Sequence, residues 1–492
     1  MSADALYRAV RRLVAGGASA PDVIDLTEEE GDLLQHLTEE RSAGILGFEA
    51  GALFATLCYL SGRISAAARA ECDPQTWLDG LVSHWPDDPE IADGFDGLET
   101  HEFGPGVYTP APTVDGEHAT LAATYEVVAD LLLEPEHLAA FRADPAVYAR
   151  RRLTDPSAQH MIAGLEPAAL RRAGNHSARF LQQFGEGDAD SDQQKPTSDV
   201  LYGAQAGPSG APLRPLARPT RQRPLIGCTW REDLAPVLFD HFDLIDIWEW
   251  YIEQFAGDDL GRSGARALAA IAMTRPVSLH SLSLSLGSPN CLDNRGWFAI
   301  ARRLVRASGV RYVSDHLGLQ LVGDRRVPHF VPVWRTDEQL KLVTDNVAAV
   351  QELIDARVVI ENATSMVDLG GEIGTAAFLS EVAHRTGCGI LLDLENVRVN
   401  AANGLIDGDQ ELADFDLNAV VEIHVAGARR RPGETWALDS HDARLHGTVL
   451  AWLERLLPHM PACEAIILER DQRMRGATDV VEDLRRLRQL VA

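Results

Sequence analysis

Residues 390–396 read ILLDLEN: a short apolar run after Gly389 that stops at Asp393, with Glu395 and Asn396 just beyond. An apolar run of this length, bounded by glycine, reads as a strand buried on both faces. The same pattern recurs through the C-terminal half. PVSLH (276–280) ends at His280, YVSDH (312–316) at Asp315 and His316, VVIEN (358–362) reaches Glu361, VVEIH (420–424) ends at His424, and AIILERD (465–471) reaches Glu469. Leu225–Cys228 and Leu244–Trp248 supply two earlier strand candidates, making eight. Helix-length amphipathic segments separate them. In Asp337–Leu353, for example, Leu340, Val343, Val347, Val350 and Leu353 are expected to share one face. Strands alternating with helices predict parallel βαβ units, and about eight units over roughly 270 residues is the size of a (β/α)8 TIM barrel. The expected fold class is therefore α/β, with the barrel over 224–492. A doubly wound open sheet is the alternative, but no GxGxxG follows the first strand.

Six consecutive strands finish in a histidine or a carboxylate. In a barrel all strand C-terminal ends open to one mouth, where sites are built. Residues from His280 to Glu469 would then converge on a small volume. Several imidazoles and carboxylates cannot share an apolar-walled mouth uncompensated, because burial and like charge both penalise the ionised forms. A metal removes the conflict. Imidazole and carboxylate donors without thiolate suit iron, manganese or zinc, and there are too many for one tetrahedral ion. Two or three ions bridged by carboxylate fit the number better. Asp439 and His441, in DSHD after the seventh strand, lie two apart and in an extended loop would project to the same side. Taken singly, each of these residues reads as a helix cap or a satisfied hydrogen bonder, and a charge-paired structural network is the rival for the set. His384, His446 and His459 fall on helices or helix ends and His329 in a loop, so none is assigned a role. Cys388 precedes a strand, at the end away from the mouth, and reads as a buried thiol.

The rest of the chain sets the frame. The chain has 492 residues, which predicts two to four domains at roughly 150 residues each. The net charge of −28 argues against nucleic-acid and anionic-membrane partners. No apolar run approaches the roughly 18 residues of a membrane span. No signal-peptide pattern opens the chain, and the six cysteines are far apart with no CxxC, so a reducing cytoplasmic setting is expected. Lys195 and Lys341 are the only lysines, which leaves little scope for Schiff-base chemistry. Residues 185–223 are rich in Gly, Pro, Ser and charge and read as a flexible linker. Residues 1–184 read as a mainly helical domain. Ala5, Leu6, Val10, Leu13 and Val14 have helical spacing, an acidic run follows at Asp22–Leu34, and 73–114 is Pro/Gly-rich and irregular. Ala119–Phe141 is apolar on one face, Glu134-Pro135-Glu136 looks like a helix start, and Pro145 and Pro167 open further short helices.

The motifs VSLHSLSLSLG, YVSDHLGLQL, VIENATS, GILLDLENVRVN, EIHVAG, DSHD and ILERD occur in this order over about Leu225–Leu490. Together they resemble the multinuclear non-haem iron-dependent oxidative enzymes. The resemblance implies a TIM barrel holding two or three iron ions, partly ferrous and partly ferric. It also implies O2 as co-substrate and a ribosomally made precursor peptide as substrate, modified at Cys or at another residue such as Asp. Members act with a separate or fused peptide-recognition partner, a part the N-terminal domain is placed to play. By resemblance the metal ligands are His280, His316, Glu361, Asp393, His424, Asp439, His441 and Glu469, with Glu361 a bridge; Asp315, next to His316, is a candidate group for supporting a ligand or for acid–base work. The chain also departs from the family pattern. Glu395 and Asn396 stand where Asn-Asn is usual, so Glu395 is expected at a third metal. Arg398 replaces an aromatic, and Ala428 replaces a His and is followed by Arg429, Arg430 and Arg431. Arg398, Arg429 and Arg430 are candidate contacts for an acidic peptide or a carboxylate. Two other readings stay open: a divalent-metal barrel isomerase or hydrolase resembling the xylose-isomerase and endonuclease group, and a non-catalytic binding protein.

Overall fold

The computed structural model describes residues 118–174 and 223–491, apart from 232–233, 256–267, 269–271, 273–274, 324, 429–435 and 472–476. The expected early helices, the irregular 73–114 region, linker residues 185–222, Cys58, Cys72 and Arg429–Arg431 lie outside the described residues.

The strands are β1 (Leu225–Thr229), β2 (Ile247–Tyr251), β3 (Val277–Ser281), β4 (Tyr312–His316), β5 (Leu319–Val322), β6 (Arg325–Val331), β7 (Arg357–Glu361), β8 (Gly389–Asp393), β9 (Val420–Val425) and β10 (Ala465–Leu468). Eight of them close into a parallel barrel in the order β1-β10-β9-β8-β7-β4-β3-β2, as the α/β barrel reading expects. β5 and β6 form a separate antiparallel hairpin directly after β4.

Alternation along the strands makes two surfaces. Ile226, Trp248, Leu279, Val313, Val358, Ile360, Ile390, Leu392, Ile423, Ile466 and Leu468 join the large core beneath the helices. Inward side chains fill the barrel floor in two clusters: Tyr312, Val359, Leu391 and Val421, the last set inward by a register shift between Val420 and Glu422, and Ile247, Ala465 and Ile467 with Leu225 packed against them. Gly227 has no room for a side chain here, since a Cβ would meet Ile247 and Ile467 at 2.6 Å. The apolar floor leaves the next inward positions, toward the strand C-termini, for the polar residues of the mouth.

The described N-terminal helices are α1 (Ala119–Leu133), α2 (Pro135–Ala143), α3 (Pro145–Arg152) and α4 (Pro156–Ala163), followed by a helix over 167–174. Around the barrel stand α5 (Arg295–Ser308), α6 (Asp337–Ile354), α7 (Thr375–Thr386), α8 (Leu394–Ala402), α9 (Gly408–Asp414), α10 (Gly447–Leu456) and α11 (Thr478–Leu490). α1 packs on the β5–β6 hairpin. Its buried Tyr125 donates to Gln339 Oε1 at 3.0 Å and accepts from the Trp334 amide at 2.7 Å. Arg325 of β6 reaches Asp130 of α1 at 2.7 Å.

Three expectations need correction. The second strand begins at Ile247, not Leu244, because Phe239–Leu244 coils as a 3-10 turn. Leu353 is 43% exposed, and Ile354, one position on and four after Val350, completes the buried face of α6. His329 belongs to strand β6 and not to a loop. The helix start expected at Glu134-Pro135-Glu136 is present, with Glu134 between α1 and α2 and Pro135 opening α2.

Candidate metal centre

Inward parity places His280, His316, Glu361, Asp393 and His424 at the strand ends, with Glu469 just past β10. All are buried. Glu361 is central. Its Oε2 lies 3.6 Å from His280 Nε2 and 3.3 Å from His316 Nε2, and its Oε1 lies 3.8 Å from His424 Nδ1. His424 Nδ1 is 3.2 Å and His441 Nδ1 is 3.1 Å from Glu469 Oε2. His441 Nε2 meets Asp439 at 2.5 Å and Asp393 at 4.0 Å. Asp439 and His441 thus converge as the sequence suggests, but not through an extended loop. His441 sits at φ 42, in the left-handed region, a strain characteristic of functional positions. Gly427 lets that loop close: its carbonyl accepts from the Ala443 amide at 2.9 Å, and a Cβ there would overlap the Arg444 carbonyl at 1.8 Å.

Partners behind the mouth orient the rings. Ser314 Oγ lies 2.8 Å from His280 Nδ1 and donates to the Leu279 carbonyl at 3.3 Å. The serine must then accept from Nδ1–H, so the lone pair of His280 Nε2 faces the mouth. Glu249 Oε2 takes His424 Nε2–H at 3.1 Å and leaves Nδ1 facing inward. Asp471, itself paired with Arg231, lies 3.0 Å from His441 Nδ1. Tyr251 donates to Glu469. Phe330 of the hairpin stacks on His316, ring centres 4.1 Å apart and 25° between planes.

The electrostatics are those of a site short of positive charge. Burial, then the neighbouring Asp393 and Glu469 carboxylates, push Glu361 well above the usual carboxylate range, although His424 opposes this. Burial drives Asp393 up to about 8. Burial and the adjacent His424 and His441 drive His316 down to about 3, against the pull of Glu469. His424 and His441 rise despite burial, because Glu249 and Glu469 face the first and Asp439 and Glu469 the second.

These residues fit a metal. His280 Nε2, Glu361 Oε2, Asp393 Oδ2, His424 Nδ1, Asp439 Oδ1 and His441 Nε2 are buried without a hydrogen-bond partner. Buried polar atoms are normally paired, and six orphans aimed at one volume need an occupant. Ligand atoms come within 4.8 Å of one another in the groups His280/His316/Glu361, Glu361/Asp393/His424 and Asp393/His441/Glu469, and Glu361 and Asp393 each belong to two. A fourth group, Glu249/Glu422/His424, lies one layer deeper. Nitrogen and oxygen donors with shared carboxylates suit bridged first-row metals.

Three expected site residues stand elsewhere. Glu395 is fully buried but both its oxygens are held by Arg398, at 2.5 and 2.7 Å. That pairing occupies Arg398 as well. Asp315 has the opposite parity to His316, and its carboxylate accepts the Leu284 amide at 2.7 Å and the His316 amide at 2.6 Å. Glu249, Tyr251, Glu422 and Asp471 went unassigned from sequence. Glu422 and Asp471 lie two residues from His424 and Glu469, a spacing that could have flagged them. Glu249 was hidden by the misplaced second strand.

The chain belongs to the family of RiPP (ribosomally synthesised and post-translationally modified peptide) precursor modification enzymes MbnB/TglH/ChrH, which it matches over residues 225–492. A UPF0276 protein of Rhizorhabdus wittichii is 31% identical over 217 residues, covering 44% of this chain and 77% of that one. One from Chromobacterium violaceum is 36% identical over 183 residues, covering 37% and 65%. Among solved structures, Escherichia coli 3-keto-D-glucoside 4-epimerase aligns with 54% of this chain and 100% of its own, at TM-score 0.36 and 16% identity. Thermus thermophilus endonuclease IV aligns with 54% and 98%, at 0.38 and 18%. The barrel assignment rests on the strand order and not on these scores.

Proposed function

We propose that this chain is an O2-dependent oxidative enzyme that modifies a ribosomally made precursor peptide, at Cys or at another residue such as Asp, using two or three iron ions held in the barrel mouth. The observation that carries this is the set of orphaned, inward-facing ligand atoms around Glu361, in a chain whose family modifies such precursors. Bound iron supplies the one-electron and O2 chemistry that side chains lack.

The chain's own residues hold and orient. Glu361 presents one oxygen toward His280 and His316 and the other toward His424, the arrangement of a bridge. Asp393, Glu469, Asp439 and His441 complete the set. Ser314, Glu249 and Asp471 fix which imidazole nitrogen faces the metal. Of the two roles offered for Asp315 from sequence, supporting a ligand or acid–base work, its contacts favour the first: it ties His316 to the loop after β3.

The helical segment serves as a wall of the mouth that receives the peptide. α1 holds the hairpin that carries Phe330. Arg172, from the helix over 167–174, lies 4.3 Å over the ring of Trp436, in the loop that carries Asp439 and His441. Arg429 and Arg430 follow β9 in sequence and remain candidates for an acidic group of the peptide.

The test is anaerobic purification with metal analysis, then reaction with a co-expressed precursor peptide followed by mass spectrometry with and without O2. At least two irons per chain and an O2-dependent mass change are expected. Fewer than two irons with zinc in their place, or turnover without O2, would overturn the reading.

A further inference from the structure

Glu395 lies in the first turn of α8, two residues past Asp393, and is 0% exposed. Asp393 uses Oδ1 to cap the helix, accepting the Asn396 amide at 2.7 Å, and leaves Oδ2 without a partner. Asp439 Oδ1 and His441 Nε2, the neighbouring ligand atoms, face each other at 2.5 Å and make no other hydrogen bond. Glu395 alone in this corner is fully engaged. Arg398, one turn along the helix and only 16% exposed in its side chain, grips both carboxylate oxygens through Nε and Nη2.

A forked guanidinium–carboxylate pair at this depth is hard to part. Moving Glu395 onto a metal would leave a largely buried guanidinium without its anion. A lysine or an aromatic at 398 would impose no such hold.

We propose that Arg398 is a positioning residue that withholds Glu395 from the metal centre, so that the Asp393/Asp439/His441 corner binds its ion without a carboxylate from α8 and more weakly than the positions built on Glu361. This rests on the metal reading above. Its consequence is graded occupancy. The corner ion is the first removed by a chelator, since Asp393, Asp439, His441 and the neighbouring Glu469 must hold it without Glu395.

The experiment is a chelator titration of the full chain loaded anaerobically with Fe(II), followed by metal analysis, for wild type, Glu395→Gln and Arg398→Met. Glu395→Gln is expected to keep the wild-type metal number and release profile. Arg398→Met is expected to free Glu395 and to shift release of the first-lost ion to about tenfold higher chelator. Loss of an ion, or about tenfold weaker binding, in Glu395→Gln would make Glu395 a ligand and overturn the proposal. So would an unchanged profile in folded Arg398→Met. If Arg398→Met does not fold, Glu395→Gln decides alone. A wild type that takes up no metal would instead sink the metal reading itself.

Discussion

His424 is held between two carboxylates, with Nε2 3.1 Å from Glu249 and Nδ1 3.2 Å from Glu469. One is one layer deeper in the barrel and the other is at the mouth, so the ring has one nitrogen for orientation and one for a ligand. Outer partners of ligating histidines set ring tautomer and basicity, and losing one costs about 10–100-fold in metal affinity. Glu249→Gln should weaken metal binding by that factor while leaving the circular dichroism of the barrel unchanged. Unaltered affinity in a competition titration would show that Glu249 plays no such part.

Glu361 trades stability for function. Its carboxylate is buried at the centre of the mouth and is held protonated well above the usual range, first by burial. Burial penalises the charged form of a carboxyl, a cost that a neutral isostere of the same shape does not carry. Metal-free Glu361→Gln is therefore expected to melt higher than metal-free wild type and to lose most of the stabilisation that metal gives. A lower metal-free melting temperature would contradict this.

The pH dependence of the metal-free protein follows from opposed groups. Asp393 is raised to about 8, so above its ordinary pKa the folded state holds a proton that the unfolded state has lost, and stability falls as pH climbs to 8. The raised His424 and His441 act in the same direction, their contribution being lost as pH rises. The depressed His316, at about 3, and the depressed His280 act oppositely, but only below about pH 6.5, where unfolded histidine titrates. Between pH 6.5 and 8 the first group stands alone. The metal-free melting temperature should fall across that window, and saturating metal should flatten the slope. A rising metal-free curve would refute the assignment.

The dock between α1 and the barrel depends on Tyr125, whose hydroxyl serves both Gln339 and the Trp334 amide. Tyr125→Phe leaves both groups short of a partner and should cost about 1–3 kcal/mol. Hydrogen exchange should then rise in α1 and in the hairpin over 319–331. Exchange confined to α1 would show that the hairpin stands without it.

Phe330 reports on the same link. Phe330→Ala removes the ring stacked on His316, so the ferrous absorption or Mössbauer signature of the His316 site should change, with metal number preserved. An identical spectrum would mean that the hairpin does not shape that ligand.

By itself the sequence determined the barrel and the ring of histidines and carboxylates at its mouth. Buried parallel strands must be short apolar runs, and a polar residue ending such a run is conspicuous, so ILLD, VVIE and VVEIH announced both strand and site. Only the tertiary structure decided which polar residues meet. Glu395 looked like a ligand in one dimension, yet the helical turn from 395 to 398 brings Arg398 onto it. Asp315 adjoins His316 in the chain, yet the pleat turns it out of the ligand set, and its carboxylate accepts the Leu284 and His316 amides. Glu249 and Asp471 reach His424 and His441 across 175 and 30 residues, and the dock of α1 spans 214 from Tyr125 to Gln339. Periodicity is a local property that a sequence displays. Pairing across a closed barrel is set by strand register and loop closure, which depend on the whole chain at once.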